Sequence, residues 1–385
     1  TDPTRLEILT GLTKRMVAAT GSRIQVRSGL DQRRAVDGAD FVLTQIRVGG
    51  QQARHRDETL GNAYGVIGQE TVGVGGFAKA LRTIPVVMEI CRDVRKLAPK
   101  AWMINFTNPS GIVTEAISRH GGVKVIGLCN SPFGLQSGIA KLMKTTFDKV
   151  DMDYVGLNHL GFVRRVKVSG KDVTAKVLAN FNTIKKAKNI KAIQYEQRFL
   201  DCLGMVPSSY LQYYYLQDQL VEKLQKEKAT RAQQVMAVES ELLKLYRDPS
   251  LRTKPEQLSK RGGSNYSTVA VSLVSAIAND KNEKHIVNVK NGSSLPDLPP
   301  DSVVEVPCYI GKKGATPLAM GRLEPKIRGL IAQIKAYEEL TVSAAMSRSY
   351  CAALMALVNN PTVPSARKAR ILLDRLLTIN KMNFR

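Results

Sequence analysis

The sequence is poor in acidic residues, in histidine and in long apolar runs. Its 33 aspartates and glutamates face 57 lysines and arginines, which gives a formal net charge of +24, and it contains 4 histidines. No apolar run approaches the roughly 20 residues that a membrane-spanning helix needs, and the first residues, TDPTRLEILTGL, lack a signal-peptide pattern. These absences argue against a membrane protein and predict a soluble, cytoplasmic one.

Cysteine is also scarce. The chain has 5 cysteines at wide, irregular spacing and no Cys-x-x-Cys pair: Cys91, Cys129, Cys202, Cys308 and Cys351. An odd, scattered set is typical of a reducing compartment and not of a disulfide framework.

The excess of positive charge would suit an anionic partner such as nucleic acid, a membrane surface or phosphate. The basic residues are spread along the chain, however, without a zinc-finger, helix-turn-helix or RNA-recognition signature beside them. The pattern therefore favours solvated helix faces, and nucleic-acid binding is kept only as an alternative.

Short apolar segments alternate with helical ones in the first part of the chain. The predicted strands are Arg23–Val26, Asp40–Ile46, Ala101–Phe106 and Lys124–Leu128. The predicted helices are 4–18, Arg33–Val36, Ile84–Lys96 and Ser110–Arg119, with a polar loop before Ile84. Alternation of apolar strands and helices predicts an α/β fold with a Rossmann-like, doubly wound parallel sheet.

After about residue 150 the pattern changes to longer helices mixed with alternating strands. Strands are predicted at Phe162–Val168 and Ser302–Ile310, and helices within Ala187–Lys228 and Glu324–Asn359. With 385 residues the chain is long enough for two cores. We therefore predict one domain over 1–150 and a second, α+β domain over 151–385.

Polar clusters follow the predicted parallel strands at their carboxyl ends, where open α/β sheets bind ligands. They begin at Arg47-Val-Gly-Gly, at Asn105-Phe-Thr-Asn108 and at Cys129-Asn130, and the first is followed by Arg54 and Glu70. Asn108 and Pro109 suit the cap and the first position of the next helix. The sequence therefore predicts a ligand site at this edge of the sheet.

Cys129 and His159 are candidate metal ligands. A thiolate and an imidazole could hold one divalent ion and leave positions open for substrate oxygens. Each residue by itself also fits a purely structural role, because cysteine is often a small buried hydrophobic residue and a lone histidine is often structural. A further candidate, Tyr266, lies with Arg261 in the glycine-containing segment RGGSNYS before an apolar helix, and a nearby cation would make it a usable base.

These clusters together resemble glycoside hydrolase family 4, whose fold is related to the lactate and malate dehydrogenases. The resemblance spans nearly the whole chain and rests on the following motifs: RVGGQQARHRDE, YGVIGQETVGVGGFAKALRTIPV, AWMINFTNPSGIVTEA, GLCNSPFG, YVGLNH, RGGSNYS and VEVPC. Several long motifs in the order of the family make the match specific.

The resemblance implies a redox-assisted elimination instead of catalysis by two carboxylates. NAD⁺ would oxidise the 3-hydroxyl of the sugar, a base would remove the C2 proton, the aglycone would leave, water would add, and NADH would return its hydride. A divalent metal, by analogy Mn²⁺ on Cys129 and His159, would stabilise the developing enolate. Tyr266 matches the base, and Glu70 matches a residue that raises its basicity.

The resemblance also implies the ligands. Arg54 and Asn108 match positions that contact substrate, Arg261 is a candidate phosphate partner, and Arg47 and Asn105 are candidate cofactor-binding residues. Asn130 stands where α-specific members have aspartate, which favours β-linked substrates. The expected substrate is a phosphorylated disaccharide or an aryl 6-phospho-β-glucoside, and the expected assembly is a homodimer or homotetramer.

One departure concerns the start of the sequence. Family members open with a strand and a glycine-rich loop that receives the pyrophosphate, and Thr1–Lys14 matches only the helix after the second strand. The resemblance thus implies an incomplete NAD-binding domain over 1–150, followed by a domain for substrate, metal and oligomerisation. A homologue that has lost NAD binding, a basic nucleic-acid-binding protein and a plain hydroxy-acid dehydrogenase are the alternatives.

Overall fold

A computed structural model describes residues 2–184, 193–262 and 266–385. Within these ranges the strands are β1 Phe41–Thr44, β2 Trp102–Asn105, β3 Lys124–Gly127, β4 Val150–Leu157, β5 Leu160–Val168, β6 Lys171–Asp172, β7 Val206–Pro207, β8 Glu283–Lys290, β9 Val303–Gly311 and β10 Gly314–Pro317. They form two sheets, one with strands from both halves of the chain and one from the second half alone.

The helices connect and cover these strands. In the first half they are α1 Pro3–Ala19, α2 Gln32–Val36, α3 Gly50–Ala63, α4 Gly73–Leu97, α5 Ser110–Ala116 and α6 Asn130–Leu142. In the second half they are α7 Thr174–Ala179, α8 Gln197–Leu203, α9 Gln212–Tyr215, α10 Gln217–Gln225, α11 Arg231–Tyr246, α12 Leu258–Arg261, α13 Tyr266–Ala278, α14 Pro325–Ser347, α15 Tyr350–Asn359 and α16 Ala366–Ile379. None of the described helices is long and apolar enough to cross a membrane.

The larger sheet is mixed, in the order β1-β2-β3-β8-β9-β10 among the described strands. The first three strands are parallel, as the sequence predicts, and β8, β9 and β10 continue the sheet in antiparallel pairing. One row of paired residues runs across it: Thr44, Asn105, Gly127, Asn288 and Glu305. This row marks the carboxyl ends of the parallel strands, where the polar clusters begin.

The smaller sheet is built on the hairpin of β4 and β5. Leu157 pairs with Leu160, so Asn158 and His159 form the two residues of its turn, and His159 has a φ of 65°. Left-handed backbone is common in such tight turns. The turn lies against α5, because Asn158 Oδ1 accepts a hydrogen bond from the backbone of Gly111 at 3.3 Å.

Two predicted elements near the start differ from the structure. The segment before Ile84 is not a loop: α3 occupies much of it, and α4 begins at Gly73. Helix α3 buries charged residues, Arg54, Asp57 and Glu58, so it lacks the apolar periodicity by which a helix is recognised. The start of α4 is rich in glycine because it packs tightly: a Cβ on Gly75 would lie 2.1 Å from the carbonyl oxygen of Gln69.

The predicted strand Arg23–Val26 is also wrong, because this segment has no regular structure and is largely exposed. Before it, α1 packs on α11 through Leu12, Leu242 and Tyr246 and not on the parallel strands. The predicted helix over Ala187–Lys228 corresponds to α8, α9 and α10, and its residues 187–192 lie outside the described ranges.

The division at residue 150 stays a prediction. Strands β8 to β10 come from the second half of the chain and complete the sheet that β1 to β3 begin. The buried contact between Lys335 and Glu115 joins the two halves again, with an Nζ to Oε2 distance of 2.6 Å. The two halves therefore share a core.

Candidate active site

Cys129 and His159 lie side by side. The sulfur of Cys129 is 3.5 Å from Nε2 of His159, and both side chains are buried. Cys129 directly follows β3 and caps α6, where its sulfur accepts a hydrogen bond from the backbone of Ser131 at 3.4 Å. The fold thus brings together a strand end and a hairpin turn that are 30 positions apart in sequence.

The ring of His159 is fixed by stacking. It lies against the ring of Tyr210, with centroids 3.7 Å apart and an interplanar angle of 7°. Burial, and then the nearby ammonium of Lys79, lowers the pKa of His159 to about 3. The imidazole is therefore neutral at pH 7, which is the form that binds metals.

The Cys129 and His159 pair fits a divalent ion. Two donors that each lie about 2.0 to 2.3 Å from one ion are roughly 3.5 Å apart when the angle at the ion is near tetrahedral. Among the described residues there is no group of three or more His, Cys, Asp or Glu side chains that could hold a metal. Cys129 and His159 would thus leave most positions on the ion to substrate oxygens and water, as in a catalytic site.

The thiol of Cys129 is a poor acid without a cation. Burial, and then the buried carboxylate of Glu305, raises its pKa to about 12, while hydrogen bonding from Ser131 and Asn158 acts in the opposite direction. A bound divalent ion would favour the thiolate, because metal binding displaces the proton of a thiol ligand.

Glu70 lies at the centre of a buried ionic cluster. Its carboxylate contacts Arg47, the guanidinium of Arg54 at 3.3 Å and the ammonium of Lys79 at 3.0 Å. Although burial raises the pKa of Glu70, the three cations hold it well below its usual range. Arg54 also donates through Nε to Glu58 at 2.7 Å, so three cations share two carboxylates here.

Sequence reasoning missed Lys79. This residue is buried in α4, where burial lowers the pKa of its ammonium to about 8 against the opposing effect of Glu70. The only sequence signal is its position nine residues after Glu70, in a segment that is predicted from the sequence as a polar loop. Asn158, Tyr210 and Glu305 were likewise not singled out, because each lies within an apolar or aromatic stretch.

Tyr266 is the first residue of α13, and not part of the loop before it. Burial, then Cys129 and Glu70, raises the pKa of its phenol, whereas hydrogen bonding with Asn108 and the charge of Arg47 lower it. The phenol therefore interacts electrostatically with the Cys129 thiol and the Glu70 carboxylate. Residues 263–265 of the RGGSNYS segment lie outside the described ranges.

The turn after β2 contains Asn105 and Asn108. Asn105 is fully buried, and its amide bonds to Thr44, Thr107 and Thr114, so its side chain supports the turn. Asn108 does not cap the next helix as predicted, because α5 begins at Ser110 with Pro109 in the cap position. Instead Asn108 Oδ1 is buried without a hydrogen-bond partner among the described residues, as expected of an atom that receives a ligand.

Two further predicted residues lie at the edges of the site. Asn130 is the first residue of α6, directly after Cys129, and is partly exposed. Arg261 ends α12, and its guanidinium bonds to Glu239 at 2.9 Å with a side chain that is 40% exposed. The structure therefore does not join the Arg261 side chain to the buried cluster around Glu70.

A cavity of about 500 Å³ reaches Cys129 from the side of α6 and α13. Its walls include Phe133, Phe147, Val269 and His285. The rings of Phe133 and Phe147 lie 4.6 Å apart. The volume is in the range of small-molecule sites.

Comparison with known proteins places this geometry in a family. The model of the family 4 glycosyl hydrolases matches residues 1–145, and the model of their C-terminal domain matches residues 154–363. A Bacillus subtilis (strain 168) protein named "Probable 6-phospho-beta-glucosidase" is 44% identical over 384 residues, which cover 98% of this chain and 87% of the relative.

Solved structures agree. The 6-phospho-beta glucosidase of Thermotoga maritima, crystallised with manganese, NAD⁺ and glucose-6-phosphate, has a TM-score of 0.88 at 36% identity, over 97% of this chain and 88% of that chain. The malate dehydrogenase of Cryptosporidium parvum shares the fold alone, with a TM-score of 0.51 at 14% identity over 89% of this chain and 95% of that chain. The predicted Rossmann-like fold class is therefore confirmed.

The two family models match both halves of the chain, and the matched residues include Cys129, His159 and Glu70. The resemblance inferred from the sequence motifs is thus confirmed. The chain belongs to glycosyl hydrolase family 4 and is a glycosidase.

Proposed function

We propose that this glycosidase hydrolyses 6-phospho-β-glucosides with NAD and a divalent metal, Mn²⁺, as cofactors. The observation that carries the proposal is the 3.5 Å approach of the Cys129 sulfur to the His159 ring, beside the phenol of Tyr266. Support for the substrate and cofactors comes from relatives named as 6-phospho-β-glucosidases and from the one crystallised with manganese and NAD⁺.

Cys129 and His159 would hold the metal, since their donor atoms and the neutral imidazole suit a shared ion. When bound, the metal polarises the oxygens of the sugar, and NAD⁺ accepts a hydride from the sugar and later returns it. Both side chains are buried, and a surrounding of low dielectric constant strengthens electrostatic effects there.

Tyr266 is the proposed base that removes the proton from C2 of the sugar. Its phenol is buried next to Cys129 and Glu70, and both raise its pKa, so the phenolate is a strong base once formed. Glu70 keeps its negative charge because Lys79, Arg54 and Arg47 surround it. The carboxylate therefore acts on the phenol as a fixed charge.

The cations around Glu70 suit an anionic, oxygen-rich sugar. Arg54 has a fixed orientation, because Glu58 and Glu70 hold its guanidinium, and the free Oδ1 of Asn108 can accept from a sugar hydroxyl. We assign Arg54 and Asn108 to substrate binding. Asn130 cannot donate a proton as an acid, so its position beside Cys129 favours β-linked substrates.

Two further assignments concern the phosphate and NAD. A phosphate contact of Arg261 would require release of its side chain from Glu239. Among the described residues, NAD would bind at the carboxyl ends of β1 to β3 and near the guanidinium of Arg47. Asn105 would contribute through the turn that it holds in place and not through its own amide.

The test is hydrolysis of 4-nitrophenyl 6-phospho-β-glucoside by the purified protein in reducing buffer. The expected result is turnover that needs both NAD⁺ and Mn²⁺ and that fails with the unphosphorylated β-glucoside and with the 6-phospho-α-glucoside. Hydrolysis that persists after removal of NAD⁺ and metal would contradict the proposal. A folded protein that binds neither cofactor would favour the impaired homologue.

We also infer a cytoplasmic location and a homodimer or homotetramer. All five cysteines are free, as in a reducing compartment. Several large apolar side chains are exposed, including Leu9, Ile24, Leu43 and Met355, and such surfaces often lie at subunit contacts. Light scattering coupled to size exclusion tests the assembly, and a mass near 42.3 kDa would contradict it.

A further inference from the structure

Glu305 is a buried carboxylate in the middle of the larger sheet. It lies on β9 with no exposed surface, at the end of the row that begins with Thr44. The adjacent position of that row is Asn288 on β8, and Gly127 on β3 follows it. Cys129 is two residues beyond Gly127.

Three neutral groups donate to this carboxylate. Asn158 Nδ2 and Asn288 Nδ2 each lie 3.0 Å from Oε1, and the hydroxyl of Tyr154 lies 2.7 Å from Oε2. Both carboxylate oxygens therefore accept hydrogen bonds, and these bonds link β4, β8 and the β4–β5 hairpin turn to β9.

Both proposed metal ligands depend on these links. Asn158 is the residue before His159 in the tight turn, and its other amide atom accepts from Gly111 at 3.3 Å, so the turn is held on two sides. Asn288 packs against β3 where Gly127 has no side chain, since a Cβ there would lie 2.8 Å from the Cβ of Asn288. Glu305 thus fixes the strand end that carries the sulfur and the turn that carries the imidazole.

Glu305 differs from the other buried carboxylates of the described residues in its lack of an ion pair. Among the described residues no lysine, arginine or histidine forms an ion pair with Glu305, in contrast to Glu70 and to Glu115, which pairs with Lys335. A buried anion without a counter-ion is costly. Together with burial, the negative charge of Glu305 raises the pKa of Cys129. The carboxylate is therefore close enough to interact electrostatically with an ion bound to the Cys129 sulfur.

We propose that Glu305 is a positioning residue for the metal site, which holds Cys129 and His159 together through Asn288 and Asn158 and supplies the buried negative charge that a divalent cation neutralises. This inference rests on the metal site of the proposed function. Substitution of a residue that hydrogen-bonds to metal ligands and orients them, without binding the metal itself, typically changes metal affinity about 10- to 100-fold.

The substitution Glu305→Gln removes the negative charge of the side chain and keeps its size and shape. The carbonyl oxygen of glutamine can take the place of Oε1 and keep both asparagine donors, and its NH₂ group can donate to the Tyr154 oxygen, while the Tyr154 proton loses its acceptor. The variant thus loses the charge with little change in packing. Mn²⁺ binding to the NAD-free protein, followed by the paramagnetic resonance of free Mn²⁺, is expected to weaken about 10- to 100-fold.

Tyr309→Phe is the matched control, because it changes an exposed side chain on the same strand and leaves Glu305 with all three donors. We expect its Mn²⁺ affinity to equal that of the unsubstituted protein. A folded E305Q protein with unchanged Mn²⁺ affinity would overturn the role of Glu305. If E305Q does not fold, Asn158→Ala takes its place, and unchanged binding by that variant has the same meaning.

A second readout follows the ligands themselves. Co²⁺ bound to the unsubstituted protein should give the absorption of a cobalt-thiolate bond, and N158A should weaken or shift it, because the imidazole is no longer held opposite the sulfur. An unchanged cobalt spectrum in folded N158A would contradict the positioning role. If the unsubstituted protein binds neither Mn²⁺ nor Co²⁺, the proposed metal site itself is wrong, which is a different outcome from equal binding by the variants.

Discussion

The ring of Tyr266 stands edge-on to the ring of Phe106, with centroids 5.3 Å apart and an interplanar angle of 87°. Edge-to-face packing of this kind fixes a ring without using its hydroxyl. The start of α13 is therefore anchored on the turn after β2, and the hydroxyl is left for its hydrogen bond with Asn108.

Because the ring contact does not involve the hydroxyl, Tyr266→Phe should leave the fold intact and remove the proposed base together with its hydrogen bond to Asn108. We expect turnover of 4-nitrophenyl 6-phospho-β-glucoside to fall about 10²- to 10⁴-fold. Steady-state kinetics and thermal unfolding check both statements. Tyr309→Phe, at a tyrosine that is 43% exposed, serves as the control and should retain full activity. Unchanged turnover in Y266F would remove the assignment.

Two buried cysteines allow a matched test of the metal site. Cys129→Ser should lose Mn²⁺ affinity by more than the roughly 10- to 100-fold that an outer partner contributes, because a direct ligand is removed. Cys91→Ser, at a thiol buried against the sulfur of Met103, should bind Mn²⁺ normally. Calorimetric titration with Mn²⁺ compares the two, and equal affinity would show that Cys129 is not a ligand.

Glu70→Gln tests the buried ionic cluster. Removal of one partner leaves Arg47, Arg54 and Lys79 close together with less compensation, and loss of one member of a buried pair costs about 3 to 5 kcal/mol in the free energy of unfolding. Urea unfolding measures this change. Glu239→Gln is the control, since its partners Arg5 and Arg261 are 46% and 40% exposed and the loss should be about 1 kcal/mol or less. Similar losses in both variants would contradict the central role of Glu70.

Glu338 should make stability depend on pH. Burial raises its pKa to about 7, with Lys335 opposing and Glu115 adding to this effect. The carboxyl group of Glu338 therefore holds its proton more tightly in the folded state than in the unfolded state, in which its pKa is near 4.5. The stabilising effect is complete below pH 4.5 and is lost as pH rises through about 7.

Glu338→Gln cannot titrate, so its stability should rise relative to the unsubstituted protein between pH 5 and 7, by at most about 1.4 kcal/mol per pH unit. Urea unfolding at pH 5, 6 and 7 checks this difference. Glu339→Gln, at a partly exposed neighbour, should give no such trend. Parallel pH curves for the E338Q variant and the unsubstituted protein would contradict the prediction.

The sequence was sufficient for the parallel part of the fold. Strands β1, β2 and β3 are short apolar runs with polar ends, and the alternation with helices predicts their parallel pairing. The same reasoning indicated that Cys129 lies at the ligand edge. The short distance between Cys129 and His159 could not be predicted from the sequence, because that distance depends on how the β4–β5 hairpin lies against α5.

Other features were hidden because they break the usual patterns. Helix α3 turns Arg54, Asp57 and Glu58 inward, so hydrophobic periodicity does not reveal it. Lys79 occupies a buried position that an apolar residue would normally fill. Glu305 reads as a break in an apolar strand until the antiparallel pairing of β8 and β9 places it in the same row as Gly127.

The mixed sheet has a consequence for biosynthesis. Hydrogen bonds join positions as far apart as Tyr64 and Lys368, which are separated by 304 residues. Such a high contact order slows folding, and β3 keeps an unpaired edge until β8 has been synthesised. The nascent chain therefore exposes a template for aggregation while the segment between β3 and β8 is synthesised, and we expect it to depend on chaperones until its C-terminal half has left the ribosome.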